Sequence, residues 1–295
     1  MDDALEAARR AEAVNPEARP VTISGNVVTR PASSTSETVH SFLQHLRDKG
    51  LICVPEPLRI DDDGAERLVY IDGADGGDGW YHQHTDQGVA SAARLLRAIH
   101  DAGRDWVPPD HAVWGAPEVT GEQTVYCHGD PGPWNFIWHD NEAVALIDWD
   151  YLHPAPRLDD VTYALQWFAP LRADELALTW HHFPEIPDRR HRIRVFLEAY
   201  GDLPKFDVVD AVAERMQATS DLVRQLAENG QEPQRTWVDQ GSLNRDAAEI
   251  AWVRDHRATS PEQKLRGCRG RLTSRIADPF ARVHAANQAA KDSLG

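Results

Sequence analysis

The residues best suited to chemistry lie in one run, His128-Gly129-Asp130-Pro131-Gly132-Pro133-Trp134-Asn135, followed at a short distance by Ile147-Asp148-Trp149-Asp150. Between the two pieces, the apolar stretches Phe136-Ile137-Trp138 and Ala143-Val144-Ala145-Leu146-Ile147 flank the polar turn His139-Asp140-Asn141-Glu142, which is the pattern of an antiparallel hairpin. Asn135 enters the first strand and Asp148 leaves the second, so a hairpin brings them together. Asp130 precedes Asn135 by five residues, in a loop whose prolines and glycines forbid a helix and let it fold back beside the hairpin mouth. Three oxygen-bearing side chains therefore converge. Phosphoryl transfer needs such a set: a carboxylate that orients an acceptor hydroxyl and takes its proton, and hard oxygen ligands that hold Mg2+ against phosphates.

The elements around this run read as a small mixed lobe followed by a larger helical one. Val21-Thr22-Ile23 and Val27-Val28-Thr29 form a hairpin around Ser24-Gly25-Asn26, closed by Pro31. Val39, Phe42, Leu43 and Leu46 then share one helical face up to Gly50. Leu58-Arg59-Ile60 and Leu68-Val69-Tyr70-Ile71 flank Asp61-Asp62-Asp63-Gly64 as a second hairpin. The Gly/Asp-rich stretch 72–79 reads as a connection, which divides the chain into residues 1–73 and 74–295. Beyond it, stripes at 89–100, 161–168, 193–200 and 212–226 predict helices, with the catalytic hairpin as one β island among them. The fold class is α+β and bilobal. Residues 3–14 read as a short appended helix. The segment after Thr259 carries seven Lys or Arg against three acids, which suits a helix docked on an acidic body.

The spacing His–x–Asp–x₄–Asn, with a later Asp beyond a turn, is that of protein kinases, with Gly129 where those have Arg. On His128, Gly129, Asp130, Asn135, Asp148 and Asp160, the chain resembles the aminoglycoside phosphotransferase and choline kinase-like family, which has the protein-kinase-like fold. Leu95-Leu96-Arg97-Ala98-Ile99-His100 also resembles the family's helix before the catalytic loop, and the likeness extends over roughly residues 20–257. The resemblance implies an ATP-dependent (or GTP-dependent) small-molecule kinase that uses Mg2+. By it, Asp130 is the catalytic base, Asn135 and Asp148 bind Mg2+, and Asp160 braces the catalytic loop from a helix start. Tyr70 and Ile71 would form the hinge whose backbone meets the nucleobase. His128 reads as a structural residue that holds the loop through hydrogen bonds. Asp150 either assists the metal or caps a loop.

Two usual parts are altered. No G-x-G-x-x-G covers the phosphates, and the strand lysine that grips them is missing, with Arg30, or Thr29 in the other register, in its place. The acidic partner expected on the following helix is not evident, because Val39 or His40 falls there and Glu37 lies one turn too early. Trp134 and Trp149 flank the run and read as core. Trp180, Trp237, Asp239 and Trp252 are candidates for acceptor contacts that also read as structural.

Composition sets limits. With 31 Lys and Arg against 47 Asp and Glu, the formal charge is −16, which disfavours nucleic acid and anionic membranes as partners and mildly favours a cationic acceptor. Three cysteines, no signal-like start and no long apolar stretch suit a cytoplasmic chain whose partner is a small hydroxyl acceptor. Two other readings use the same residues. One is a nucleotide-binding pseudokinase-like protein, motivated by the altered lysine. The other is a metal-dependent phosphatase with His128, Asp130, Asp148 and Asp150 as ligands.

Overall fold

The structure, a computed structural model, describes residues 20–121 and 124–257. The helix expected over 3–14 and the basic segment after Thr259 lie outside these residues.

The amino-terminal part is a four-stranded antiparallel sheet in the order β1-β2-β4-β3. Its strands are β1 (Thr22–Ser24), β2 (Val27–Pro31), β3 (Pro57–Ile60) and β4 (Ala65–Val69). Gly25, at φ +59°, makes the tight turn that sets Ser24 opposite Val27. β4 then pairs along β2 with Arg30 opposite Glu66. Helix α1 (Ser36–Asp48) buries the expected face, Val39, Phe42, Leu43 and Leu46. That face does not stay within the small lobe. Phe42 is wholly buried and its ring lies 4.9 Å from Trp106, 5.5 Å from Trp149 and 5.7 Å from Tyr126. The division at 73/74 therefore separates the sheets, whereas one apolar cluster runs from α1 into the helical part.

The connection is seated rather than free. Ala74 and Trp138 exchange backbone hydrogen bonds of 3.0 and 2.8 Å. Gly73, at φ +144°, approaches so closely that a Cβ there would stand 2.4 Å from Ile137 Cγ2. Short helix α2 (Gly79–His82) follows, then α3 (Asp86–Ala102), whose N-cap Thr85 accepts from the Gly88 N–H.

The expected hairpin forms as β6 (Phe136–His139) and β7 (Glu142–Leu146). It is not the only β island. Strand β5 (Thr124–Cys127) pairs antiparallel with β8 (His153–Pro156). Pro154 and Pro156 hid β8 from a sequence reading, because proline cannot donate to a ladder and is tolerated only where a strand has a free edge, as in this two-stranded pair. The pair matters to the site: β5 ends immediately before His128, and β8 is separated from α4 (Leu158–Phe168) by Arg157 alone. Helices α5 (Asp174–Thr179), α6 (Arg189–Tyr200), α7 (Val208–Glu228), α8 (Gln234–Asp239) and α9 (Ser242–Asp255) complete the larger part. No helix among the described residues is long and apolar enough to cross a membrane.

Because Phe42 joins α1 to the aromatic group under the catalytic segment, Phe42→Ala is expected to cost about 3–5 kcal/mol of stability. Urea unfolding of both proteins checks this; a loss below about 1 kcal/mol would mean that α1 is not docked through this ring.

Candidate active site

The catalytic loop is fastened at its root. Asp160, in the first turn of α4 and fully buried, accepts the N–H of His128 at 2.7 Å on Oδ2 and the N–H of Gly129 at 2.8 Å on Oδ1. His100 Nε2 reaches the same Oδ2 at 3.0 Å, and His100 Nδ1 meets the Tyr200 hydroxyl at 2.7 Å. Burial alone would push this carboxyl up, but the His100 hydrogen bond and charge, His128 and the Gly129 N–H outweigh it and hold it at about 2. His100, Cys127 and Asp160 lie close enough to suggest a metal site. Their atoms are instead committed to these bonds and, for Cys127 Sγ, to backbone carbonyls of β8.

Gly129 sits at φ +85°, and a Cβ would lie 2.6 Å from the Tyr151 carbonyl oxygen. That contact is why a kinase-type arginine is absent at this position. The Gly129 carbonyl accepts from Arg215 Nη2 at 2.8 Å, and Arg215 Nε reaches Asp159 at 2.9 Å, so α7 also ties the loop down.

His128 couples this loop to the hairpin exit. Its Nδ1 accepts the Asp130 N–H at 3.2 Å, so Nε2 carries the proton and donates to the Ile147 carbonyl at 2.8 Å. With both ring nitrogens used, His128 has none left for a metal, which counts against a phosphatase site built on it. At the hairpin mouth the Ile147 N–H donates to the Asn135 carbonyl at 2.8 Å.

Asp130 is partly buried and oriented on both oxygens. Oδ2 accepts from Asn135 Nδ2 at 2.9 Å and from Trp134 Nε1 at 3.4 Å, and Oδ1 accepts a short hydrogen bond from the Tyr163 hydroxyl. Two donors fill Oδ2, so the second lone pair of Oδ1 is the place for an incoming proton. Burial pushes Asp130 up to about 6; the Tyr163 and Trp134 hydrogen bonds pull it down, and the Asp148 charge pushes it up. Asn135 Nδ2 also donates to the Asp130 carbonyl at 2.8 Å, so both amide protons are spent on Asp130 and the amide oxygen is not.

Asp148 stands at φ +62°, a left-handed conformation that costs a non-glycine residue about 1 kcal/mol or more. Its side chain is 48% exposed, and Oδ1 accepts from Arg30 Nη1 at 2.9 Å. Arg30 Nη2 reaches Asp150 Oδ1 at 2.9 Å, and Arg30 Nε donates to Glu66 Oε1 at 2.5 Å. Burial works against the guanidinium's charge, but Asp150, Asp148 and Glu66 outweigh it and hold it more firmly protonated than a free arginine. The acidic partner sought on the helix is therefore on the neighbouring strand. Glu66 is almost fully buried, and α1 supplies Ser36 Oγ to its other oxygen at 2.5 Å. Glu37 points to His111 instead, at 3.5 Å.

Thr29 is not brought to this cluster: its hydroxyl accepts from Arg67 Nη1 at 3.3 Å, next along the strand from Arg30 and so on the opposite face. Tyr70 donates its N–H to the Asn26 carbonyl at 2.7 Å. Ile71, like Ile52 and Ile147, packs against the buried Ile137, Val144 and Ala145, an apolar shelf that ends beside Asp148. Trp149 is buried with its Nε1 on the Leu146 carbonyl, as a core residue should be. Trp134 departs from that expectation, since it is partly exposed and touches Asp130. Sequence reasoning also missed Tyr163 and Glu66. Each had a signal: Tyr163 lies three residues after Asp160 on one helix face, and Glu66 opposes Arg30 once the strands are put in register.

The donor set suits Mg2+. Asp148, Asp150 and the Asn135 amide supply hard oxygens, and Asp148 and Asp150 already face a cation in the Arg30 guanidinium. Tyr163→Phe is expected to raise the Asp130 pKa by about one unit from its value near 6, because one donor to its charged form is lost. A ¹³C NMR titration of the Asp130 carboxyl reads it. An unchanged pKa, or wild-type titration in the ordinary aspartate range, would contradict the arrangement.

A family model for the phosphotransferase enzyme family matches residues 112–196, which hold the catalytic loop, the hairpin and α4. The trifolitoxin immunity protein of Rhizobium leguminosarum bv. trifolii is 30% identical over 186 residues, covering 61% of this chain and 70% of that one. Among solved structures, a choline/ethanolamine kinase family protein from Mesorhizobium loti superposes with a TM-score of 0.51 at 16% identity, over 85% of this chain and 98% of that one. A spectinomycin phosphotransferase solved with ADP and spectinomycin gives 0.52 at 13% identity, over 82% and 93%. At those identities the structures establish the fold, which is protein-kinase-like, and the match to the immunity protein extends the likeness beyond the catalytic segment. The chain belongs to the phosphotransferase enzyme family.

Proposed function

We propose that this protein transfers the γ-phosphoryl group of ATP, or of GTP, to a hydroxyl of a small molecule. The observation that carries the reading is the convergence of Asp130, Asn135 and Asp148 at the mouth of the β6–β7 hairpin, with Arg30 already in contact with Asp148. A nucleotide-bound neighbour of the same fold supports the choice of donor. The immunity named in the Rhizobium relative supports a toxin as the acceptor. A nucleotide-dependent enzyme of this kind works in the cytoplasm.

In this reading the nucleobase lies against the apolar shelf of Ile71 and Ile147, next to the hinge. Bound through Asn135 and Asp148, with Asp150 beside them, Mg2+ would supply positive charge against the phosphates. Arg30 keeps its bond to the buried Glu66 and exchanges Asp148 and Asp150 for phosphate oxygens, which its planar fork suits. The acceptor hydroxyl donates to Asp130 Oδ1. As its oxygen bonds to the γ-phosphorus and the β–γ bridging bond breaks, the proton passes to Asp130. A base with a pKa near 6 is ionised at neutral pH and still accepts that proton. Tyr163, Asn135 and Trp134 hold the carboxylate in place and are positioning residues.

Three results are expected. Asp130→Asn lowers transfer about 10²–10⁴-fold while leaving Mg·ATP affinity within about threefold, as measured by ADP release across a panel of hydroxyl acceptors and by calorimetry; undiminished transfer would remove Asp130 from its role. The Asp130 pKa is raised, so its basic form is lost as pH falls, and kcat/KM should decline below about pH 6. Arg30→Ala should weaken Mg·ATP binding about tenfold or more, the worth of charge-assisted hydrogen bonds. Nucleotide binding with no transfer to any acceptor would favour the pseudokinase-like reading.

A further inference from the structure

One face of α4 carries Asp160, Tyr163 and Trp167 at i, i+3 and i+7. The first braces the loop, the second orients Asp130, and the third opens an aromatic wall. Trp167 lies 4.8 Å, ring to ring, from Trp134, whose indole N–H touches Asp130. It lies 6.1 Å from Tyr163 and 6.1 Å from Trp180. Trp80 backs the group, 5.1 Å from Trp134 and 6.0 Å from Trp180. Trp80 is buried, but Trp134, Trp167 and Trp180 keep part of their surface open. Partly open indoles gathered within one ring contact of a catalytic carboxylate are costly to expose and are what a flat apolar ligand covers.

The charges beside the wall argue against a cationic ligand. The Arg172 guanidinium already lies 4.3 Å from the Trp167 ring centre and 4.5 Å from that of Trp180, so a cation occupies a face of each. Arg172 is paired with Glu249 at 2.7 Å, and that carboxylate is thereby committed. Arg172 Nη1 donates to His181 Nε2 at 2.9 Å, which leaves the His181 proton on Nδ1. His181 is buried, and burial followed by the Arg172 charge holds it well below the usual histidine range, so it adds no charge. Its Nδ1 and the Trp167 Nε1 are both buried donors without a partner.

From this wall we infer that the acceptor subsite takes an uncharged alcohol bearing an aromatic or heteroaromatic group, laid against Trp134, Trp167 and Trp180 with its hydroxyl at Asp130 Oδ1. The inference rests on the kinase reading for the role of Asp130 and replaces the expectation of a cationic acceptor drawn from net charge. Ring stacking against Trp167 then sets acceptor choice.

The test uses the full chain and four probes: 2-phenylethanol, 2-(indol-3-yl)ethanol, choline and kanamycin. Binding is followed by ligand-observed NMR without nucleotide, which does not depend on phosphoryl transfer, and ADP release is measured in parallel. The aryl alcohols should bind at least tenfold more tightly than choline or kanamycin. Trp167→Ala and Trp180→Leu should each weaken them about tenfold or more, with Mg·ATP affinity unchanged. Aryl binding that is lost in these variants but gives no ADP would uphold the subsite and sink the kinase reading. Tighter binding of choline or kanamycin by the unaltered protein would overturn the inference, even if the variants fail to fold. So would aryl binding indifferent to both substitutions.

Discussion

The site depends on one buried negative charge. Asp160 has no access to solvent, and an unpaired carboxylate there would be severely destabilising. It is tolerated because the His128 and Gly129 N–H groups and His100 surround it, and His100 is held by Tyr200. The same bonds therefore join α3, α4, α6 and the catalytic loop at one point. From that anchor the order propagates: His128 grips the Ile147 carbonyl, Ile147 grips Asn135, and Asp148 follows at the hairpin exit. A loop rich in glycine and proline, which has little structure of its own to offer, is thereby held at its root, at His128 and at the hairpin mouth.

Arg30 is the second joint. It crosses from the amino-terminal sheet to the catalytic segment and meets three carboxylates with one planar group. A lysine, with a single point of charge, would not bridge Glu66, Asp148 and Asp150 at once. The arginine is thus no simple replacement for the usual strand lysine. It comes with a partner moved from the helix to β4, and with a contact to Asp148 that a nucleotide would have to take over.

Much of this was legible in the sequence, and the rest was hidden for identifiable reasons. The hairpins at 22–31 and 57–69, the face of α1 and the hairpin at the catalytic run follow from local periodicity and turn residues, which a short window contains. The convergence of Asp130, Asn135 and Asp148 needed only one hairpin. The Arg30–Glu66 pair needed the register between β2 and β4, which are separated by a helix, and so was sought on the wrong element. Strand β8 was concealed by its prolines, which argue against a strand until an edge is available. The tryptophan wall draws on residues 80, 134, 167 and 180, and no periodicity links positions so far apart. Only packing brings them together, on a helix whose other residues serve the loop.

The most direct test of a phosphoryl-transfer centre at residues 128–150 is calorimetric titration of ATP with and without Mg2+ into the unaltered protein and into Asp148→Asn. The expected result is binding that strengthens about tenfold or more with Mg2+ in the unaltered protein and loses that gain in the variant. Equal affinity with and without Mg2+, or a gain that survives in Asp148→Asn, would contradict the account.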